Sequence, residues 1–307
     1  MDGIARDGAR SIAAGSKSFA AASRLFDRAT RESVVMLYAW CRHCDDIVDG
    51  QDLGRGTVSP SGTHALARVT ELEIETRRVL AGQASRHSAF EGLGRVVRRH
   101  AIPPELPLAH LAGFRMDAEG RRYETIEDTL DYCYHVAGVV GVMMAHVMGV
   151  RDRATTDRAS DLGIAFQLTN IARDIVPDAE AGRVYVPDVW LAQEGIPPAA
   201  LAAPEHRAAL ARIAARLVQD AEPYYDSAGI GIARLPRRAA WAVATARGLY
   251  REIGLEVVRR GPEAWDERVS TSPARKIAHV AYGGVTVLSL SGEEPAIPRE
   301  GLWTRPA

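Results

Sequence analysis

The stretch Gly163-Ile164-Ala165-Phe166-Gln167-Leu168-Thr169-Asn170-Ile171-Ala172-Arg173-Asp174-Ile175-Val176-Pro177-Asp178 decides how this chain is read. Its apolar residues recur at helical period, yet Gln167, Asn170, Asp174 and Asp178 follow one another at steps of three and four. Side chains so spaced stack on one face of a helix. Amide and carboxylate oxygens therefore converge inside an otherwise apolar segment, and converging hard oxygens suit magnesium.

A second such face lies far upstream in Tyr38-Ala39-Trp40-Cys41-Arg42-His43-Cys44-Asp45-Asp46-Ile47-Val48-Asp49, with Asp45 and Asp49 four residues apart. One isolated D-x-x-x-D is ordinarily a solvated helix face or an N-terminal cap. Two pairs inside apolar helices are not, and the first pair sits at a helix C-terminus, whose partial negative charge disfavours carboxylates unless a cation is bound. Magnesium takes few protein carboxylates and completes its octahedron with water and substrate phosphates. Facing aspartate pairs therefore imply a phosphorylated substrate.

The chain has 307 residues, 47% hydrophobic and 25% charged, enough for one large helical core. Its formal net charge of -1 predicts no general attraction to nucleic acid, so phosphate binding must be local. Only Lys17 and Lys276 are lysine among 38 basic residues, which makes Lys17 more informative than any one arginine. Cys41, Cys44 and Cys133 form no disulfide framework and read as buried helix thiols in a reducing, cytoplasmic setting. The opening MDGIARDGARSIAAG has acids and no apolar core, so it reads as the start of the mature chain and not as a signal peptide. Val136 to Val150 is the most apolar run; it falls short of the roughly 20 residues that span a bilayer and is expected to be a buried helix.

Helical periodicity recurs from end to end, and strand signals are scarce. The pattern predicts an all-α, single-domain bundle over residues 1–288 with a loose tail over 289–307. Helices are expected over Ile4 to Ala22, broken near Gly15, and from Arg31 to Gly50 with Thr30 as cap. After a Gly/Ser/Pro-rich loop, further helices are expected at 64–82, 87–100 and 104–116, with a polar connection over 117–125. Thr125 and Asp128 form a capping-box signature for a helix running through Gly149, in which Gly138, Gly141 and Ala145 thin one face. That face permits either close helix packing or an adjacent channel. Pro177 should end the helix from Thr156 near Val176. Residues 179–204 are expected to be an irregular segment long enough for a lid, before helices at 205–229, 235–260 and 263–280.

If the two acidic faces oppose each other across the bundle, two or three magnesium ions there, or manganese in their place, would hold a diphosphate. Its departure leaves a carbocation, which water would quench, so the rest of the pocket must be dry. Tyr132, Phe166 and Val136 to Val142 supply an apolar wall, and aromatic faces shelter positive charge. Lys17, Arg42 and Arg173 stand within the same motifs and suit diphosphate oxygens.

Four motifs in order, Gly15-Ser16-Lys17-Ser18-Phe19, Tyr38-Ala39-Trp40-Cys41-Arg42-x-x-Asp45-Asp46-x-x-Asp49, Tyr132-Cys133-Tyr134-x-Val136-Ala137-Gly138 and Gln167-Leu168-Thr169-Asn170-Ile171-x-Arg173-Asp174, resemble the squalene/phytoene synthase family. The likeness runs from about Gly15 to Arg268. With Gly182-Arg183-x-Tyr185-x-Pro187, it is greatest to the family's bacterial phytoene-forming members. The resemblance implies a class I isoprenoid synthase bundle with a central apolar cavity. It also implies head-to-head condensation of two geranylgeranyl diphosphates, through prephytoene diphosphate, to phytoene, without NADPH. By motif, Asp45, Asp49, Asn170, Asp174 and Asp178 would ligate magnesium. Ser16, Lys17, Ser18, Tyr38, Arg42, Gln167, Arg173, Tyr250 and Arg268 would contact diphosphate, with Tyr132 beside the reacting carbons. Where many members carry an acid before the last of these aspartates, this chain has Pro177.

Three other readings fit parts of the pattern. One is a dehydrosqualene- or squalene-type synthase acting on farnesyl diphosphate. Squalene synthases of the family also reduce their product with NADPH, and this chain lacks a Gly-rich dinucleotide fingerprint. A second is a chain elongase or terpene cyclase, but elongases typically read D-D-x-x-D twice, and here Ile175 follows Asp174. A third is a non-catalytic assembly protein of the same family, whose relatives have usually lost the aspartates. Substrate and product of this length also lead one to expect peripheral contact with a membrane surface, by a monomer or weak oligomer.

Overall fold

The computed structural model describes residues 3–15, 17–50, 63–289 and 298–305. Among them there is no strand, and the chain is all-α as its periodicity predicts. The expected first helix is split into α1 (Gly3–Gly15) and α2 (Lys17–Ser23). The long α3 (Arg28–Asp49) begins three residues before its expected start. Asp27, not Thr30, is its cap: the Asp27 carboxylate accepts the Thr30 N–H at 3.0 Å and the Thr30 hydroxyl at 2.6 Å. Gly50, at φ 67°, closes the other end in the left-handed conformation that glycine adopts without strain.

Two faces of α3 do different work. Val34, Leu37, Trp40, Cys44 and Val48 are buried at 0–2% exposure in the core. Each large apolar side chain there stabilises the fold by about 1.5–3 kcal/mol. Tyr38, Arg42, Asp45 and Asp49, at steps of four, three and four, line an internal cavity instead. The polar face survives inside the protein because it borders this space.

The expected helices at 64–82, 87–100 and 104–116 are α4 (Thr63–Leu80), α5 (Ser88–His100) and α6 (Glu105–Glu119). The last runs further than expected, so Asp117 lies in its final turn and not in a polar connection. The capping box forms at Thr125 and Asp128, whose carboxylate accepts the Thr125 N–H at 3.0 Å. It opens α7 (Ile126–Cys133), which continues through a π turn (Tyr134–Gly138) into α8 (Val139–Val147). The imidazole Nδ1 of His110 donates to the His135 carbonyl at 3.1 Å within this widened turn.

The helix of the deciding stretch is α9 (Arg153–Glu180). It passes through Pro177 and does not stop before it. Its end closes through the Ala181 N–H to the Pro177 carbonyl at 3.1 Å and the Arg183 N–H to the Asp178 carbonyl at 2.8 Å, so Asp178 keeps helical register. Glycines resolve the choice between packing and channel. A Cβ on Gly141 would lie 2.1 Å from the Ala159 carbonyl oxygen, and one on Gly163 would lie 2.2 Å from that of Ala137. The backbone of α9 therefore touches both α8, at Gly141, and the π turn before it, at Gly163, while Gly141 and Gly163 also border the cavity.

Beyond α9 the irregular segment carries α10 (Asp188–Gln193) and short 3-10 turns. It is pinned to the body: the Asp188 N–H donates to the Tyr123 carbonyl at 2.8 Å, and the Thr129 hydroxyl to the Tyr185 carbonyl at 2.9 Å. Helices α11 (Arg207–Ile232) and α12 (Arg237–Arg260) follow. The last, α13 (Pro273–Ser289), lies later than the expected 263–280 because Gly261–Trp265 forms a separate 3-10 turn. Among the described residues no helix is long and apolar enough to cross a membrane.

The expectation of a loose tail fails over residues 298–305. Asp157 and Asp161, one turn apart on α9, are 8% and 0% exposed, and buried carboxylates require partners. Arg299 meets Asp161 at 2.6 Å and Arg305 meets Asp157 at 2.6 Å, while the Trp303 N–H donates to the Tyr224 hydroxyl at 3.1 Å.

Adding one methyl group at the backbone contact should be costly. Gly163→Ala is expected to lower stability by about 1–3 kcal/mol, as overpacking does. Gly229→Ala, whose Cβ would meet only the Arg247 side chain at 3.6 Å, should be near neutral. Thermal unfolding of both variants checks this; equal melting temperatures would show that α9 and the π turn before α8 are not in tight contact.

Candidate active site

The cavity encloses about 1320 Å³. Its wall includes Tyr38, Arg42, Asp45, Asp49, Tyr132, Gln167, Asn170, Arg173, Asp174, Asp178, Tyr250 and Arg268, so every expected site residue whose side chain is described is brought to one space. Ser16 and the side chains of Lys17 and Ser18 lie outside the described residues. The aspartates of α3 and those of α9 are more than a hundred residues apart in sequence and border the same cavity. Apolar residues from the π turn, α8 and α9, Val136, Val140, Met144, Leu162 and Phe166 among them, cover much of the remaining wall.

Arginines hold most of these carboxylates. Arg42 reaches Asp45 at 2.7 Å and Asp46 at 3.1 Å along α3. Arg173 grips Asp174 through both oxygens, with Nε at 2.9 Å, and Arg268 adds a contact at 3.2 Å. Arg183, just past the end of α9, crosses to Asp49 on α3. The Asn170 amide donates to the Gln167 side-chain oxygen at 3.3 Å, fixing both side chains at the cavity surface. Tyr250 stacks on Phe166 with ring centroids 4.1 Å apart, and Phe19 lies 5.6 Å from Tyr38.

Protonation reflects the balance of burial and partners. Burial, then the neighbouring Asp174, pushes Asp178 up to about 8. Burial also raises Asp45 to about 7, against the pull of Arg42 and with Asp49 and Asp46 adding to the rise. The Asp45 side chain keeps 36% exposure to the cavity, which tempers that rise. Burial acts in the same sense on Asp174, but Arg173 and Arg268 outweigh it and hold its carboxyl below the usual range. Pairing on the wall is therefore uneven: Asp45, Asp49 and Asp174 meet arginines, and among the described residues Asp178 has no ion pair.

These acids are the test for a divalent cation. Among the described residues no three histidine, cysteine or acidic side chains are grouped to hold a metal ion. The donors are nonetheless hard oxygens from α3 and α9 around one cavity, two of them with a pKa raised by burial. Magnesium uses one or two carboxylates and takes its other ligands from water and phosphate. Such a donor set fits magnesium arriving with a phosphorylated ligand, and it does not fit a preformed protein cage.

Two cavity residues were not legible as site residues. Asp117 accepts hydrogen bonds from the Tyr185 hydroxyl at 2.9 Å and the Tyr132 hydroxyl at 3.1 Å. The spacing His110, Phe114, Asp117, all on the cavity wall, is the signal that would have found it. Arg183 stands in the Gly182-Arg183-x-Tyr185 motif, but its reach across to Asp49 is a tertiary contact that no local spacing encodes.

A family model described as Squalene/phytoene synthase matches residues 12–275. The chain is 55% identical to a 15-cis-phytoene synthase from Enterobacter agglomerans, covering 95% of this chain and 99% of the relative. It is 53% identical to a 15-cis-phytoene synthase from Pantoea ananas, covering 96% of each. Among solved structures, a dehydrosqualene synthase in complex with ligand is similar at a TM-score of 0.81 and 26% identity, over 93% of this chain and 98% of that one.

The raised acids give a pH dependence with a definite sign. In the unfolded chain Asp178 titrates near 3.8 and in the folded chain near 8, so between those values the native state holds a proton that the unfolded state has lost. Stability from this group therefore falls as pH rises through that window. In EDTA, Asp178→Asn should raise the melting temperature more at pH 8 than at pH 5. An equal gain at both would contradict the assignment.

Proposed function

The chain belongs to the squalene/phytoene synthase family, and from that premise we propose that it is a phytoene synthase, a prenyltransferase joining two geranylgeranyl diphosphates head to head. The observation that carries this reading is the joint presence, in one cavity, of two facing acidic helix faces and a continuous apolar wall. At about 1320 Å³ the cavity exceeds the roughly 300–1,000 Å³ of ordinary small-molecule pockets, in keeping with two long prenyl chains.

Asp45, Asp49, Asn170, Asp174 and Asp178 would hold magnesium, which when bound neutralises negative charge on the diphosphate. Arg42, Arg173 and Arg268 are aligned beside them, and their guanidiniums can exchange a carboxylate for a diphosphate oxygen, with Lys17 as a further cation. The C–O bond of the first substrate breaks as charge gathers on oxygens these groups already face. The double bond of the second substrate captures the allylic cation, giving the cyclopropyl diphosphate. A second ionisation and rearrangement lead to the forty-carbon skeleton, and loss of a proton ends the sequence. Val136, Val140, Met144 and Leu162 keep water from the cations, and the rings of Tyr38, Phe166 and Tyr250 present faces that stabilise positive charge. Tyr132 stands on the same wall, beside the reacting carbons.

A peripheral position on the cytoplasmic membrane surface completes the reading. Ile277, Tyr282, Val285 and Leu288 of α13 are 63–72% exposed. That helix has no acid of its own; Glu252 of α12 holds Arg275 and His279, so its exposed apolar face makes the lipid contact, and Pro273 and Lys276 border the cavity. An apolar product would then leave towards lipid.

Purified protein with magnesium and geranylgeranyl diphosphate, without NADPH, should give a forty-carbon hydrocarbon by mass, and EDTA should abolish turnover. A thirty-carbon product from farnesyl diphosphate at higher efficiency would assign the chain instead to dehydrosqualene formation. On flotation with vesicles containing anionic lipid, the native chain should rise with the vesicles, and a Val285→Asp, Leu288→Asp variant should stay behind. Equal flotation would remove α13 from the membrane contact.

A further inference from the structure

The proton lost in the last step needs an acceptor, and one carboxylate of the cavity comes from a third helix and is held by phenols instead of arginine. Asp117 closes α6 one turn after Phe114, with part of its surface facing the cavity. Asp45, Asp49 and Asp174 are each paired with arginine, whereas among the described residues Asp117 has no cation within ion-pairing distance. Arg183, which acts on it through space, is hydrogen-bonded to Asp49. Its polar partners are two phenols, one on each oxygen: Tyr185 on Oδ1 at 2.9 Å and Tyr132 on Oδ2 at 3.1 Å. The two rings stack with centroids 4.6 Å apart and planes at 17°, and the Thr129 hydroxyl pins the Tyr185 carbonyl, so the carboxylate is held from both sides.

A carboxylate offers about four lone-pair sites. Two are taken by the phenols, and the others remain available at the cavity surface. The titratable groups acting on Asp117 include Tyr132 from α7, Tyr185 and Arg183 from the segment after α9, Asp49 from α3, Asp178 from α9 and Tyr123. Neighbouring walls bring Phe114 and Val136, which are hydrocarbon.

We propose that Asp117 is the catalytic residue that accepts the terminating proton of the condensation. The C–H bond next to the final allylic cation breaks, its electron pair forms the new C=C bond, and the proton passes to a carboxylate oxygen of Asp117. Solvent takes that proton when the hydrocarbon has left. Tyr132 and Tyr185 are positioning residues that hold the acceptor against the chain. Burial raises the Asp117 carboxyl to about 6, which leaves it ionised at neutral pH and more basic than a surface acid.

The inference rests on the head-to-head reading, and the test separates the two. The full chain is supplied with magnesium and either geranylgeranyl diphosphate or the cyclopropyl diphosphate itself. In Asp117→Asn, diphosphate release and cyclopropyl diphosphate formation should stay within about threefold of the native chain. Conversion of the cyclopropyl compound to hydrocarbon should fall by about 10²–10⁴, the range of a lost general base, with alcohols from water capture in its place. Asp117→Glu, which keeps the carboxylate, should recover part of the conversion. The inference is overturned if Asp117→Asn makes hydrocarbon at near the native rate, or if both half-reactions fall together with Asp117→Glu no better. If the native chain makes no cyclopropyl compound from geranylgeranyl diphosphate, the functional reading fails before Asp117 is reached.

Discussion

The structure depends on one electrostatic imbalance, namely that among the described residues cations pair with only some of the five carboxylates facing a space walled largely by hydrocarbon. Burying an ion without a partner costs several kcal/mol even after relaxation, and a protein meets that cost by pairing, by protonation or by binding a counter-charge. All three responses occur around this cavity. Asp49 and Asp174 are paired with arginine; Asp45 and Asp178 are pushed up towards neutrality; and the donor set left over suits a divalent cation brought with diphosphate. The same rule governs a distant part of the molecule. Asp157 and Asp161, buried on α9 away from the acidic cavity face, draw Arg305 and Arg299 back from the C-terminal segment.

Geometry makes the imbalance useful. Because α9 touches α8 at Gly141 and the preceding π turn at Gly163, it is fixed closely enough for its polar face to border the cavity beside that of α3. Each of these helices has a core face and a cavity face, and the turn-by-turn spacing that buries Leu168 and Ile171 is what presents Asn170 and Asp174. A carbocation can form in such a place because its counter-ion is held at one part of the wall while water is excluded from the rest.

Much of this was legible in the residues because helical period is local. Polar residues at steps of three and four inside apolar runs named the two acidic faces, and the capping box at Thr125 and Asp128 formed as read. What escaped was tertiary. Pro177 suggested a helix end, but hydrogen bonds from Ala181 and Arg183 close the turn after it. A polar, Pro- and Gly-containing tail looked loose, although its arginines answer two buried acids whose burial no sequence pattern reveals. Asp117 read as part of a loop because the expected helix stopped three residues short of the end of α6; its partners Tyr132 and Tyr185 lie 15 and 68 residues away.

The central claim is that aspartates from α3 and α9 act on one shared ligand. A double-mutant cycle on Asp45→Asn and Asp174→Asn tests it most directly, read as the affinity for a non-ionisable thiolodiphosphate analogue in magnesium. Groups that meet over one ligand are coupled by about 0.5–3 kcal/mol, whereas independent sites add to within about 0.5 kcal/mol. The account predicts that the second substitution weakens binding far less once the first is made. Losses that simply add, or binding untouched by either change, would contradict it.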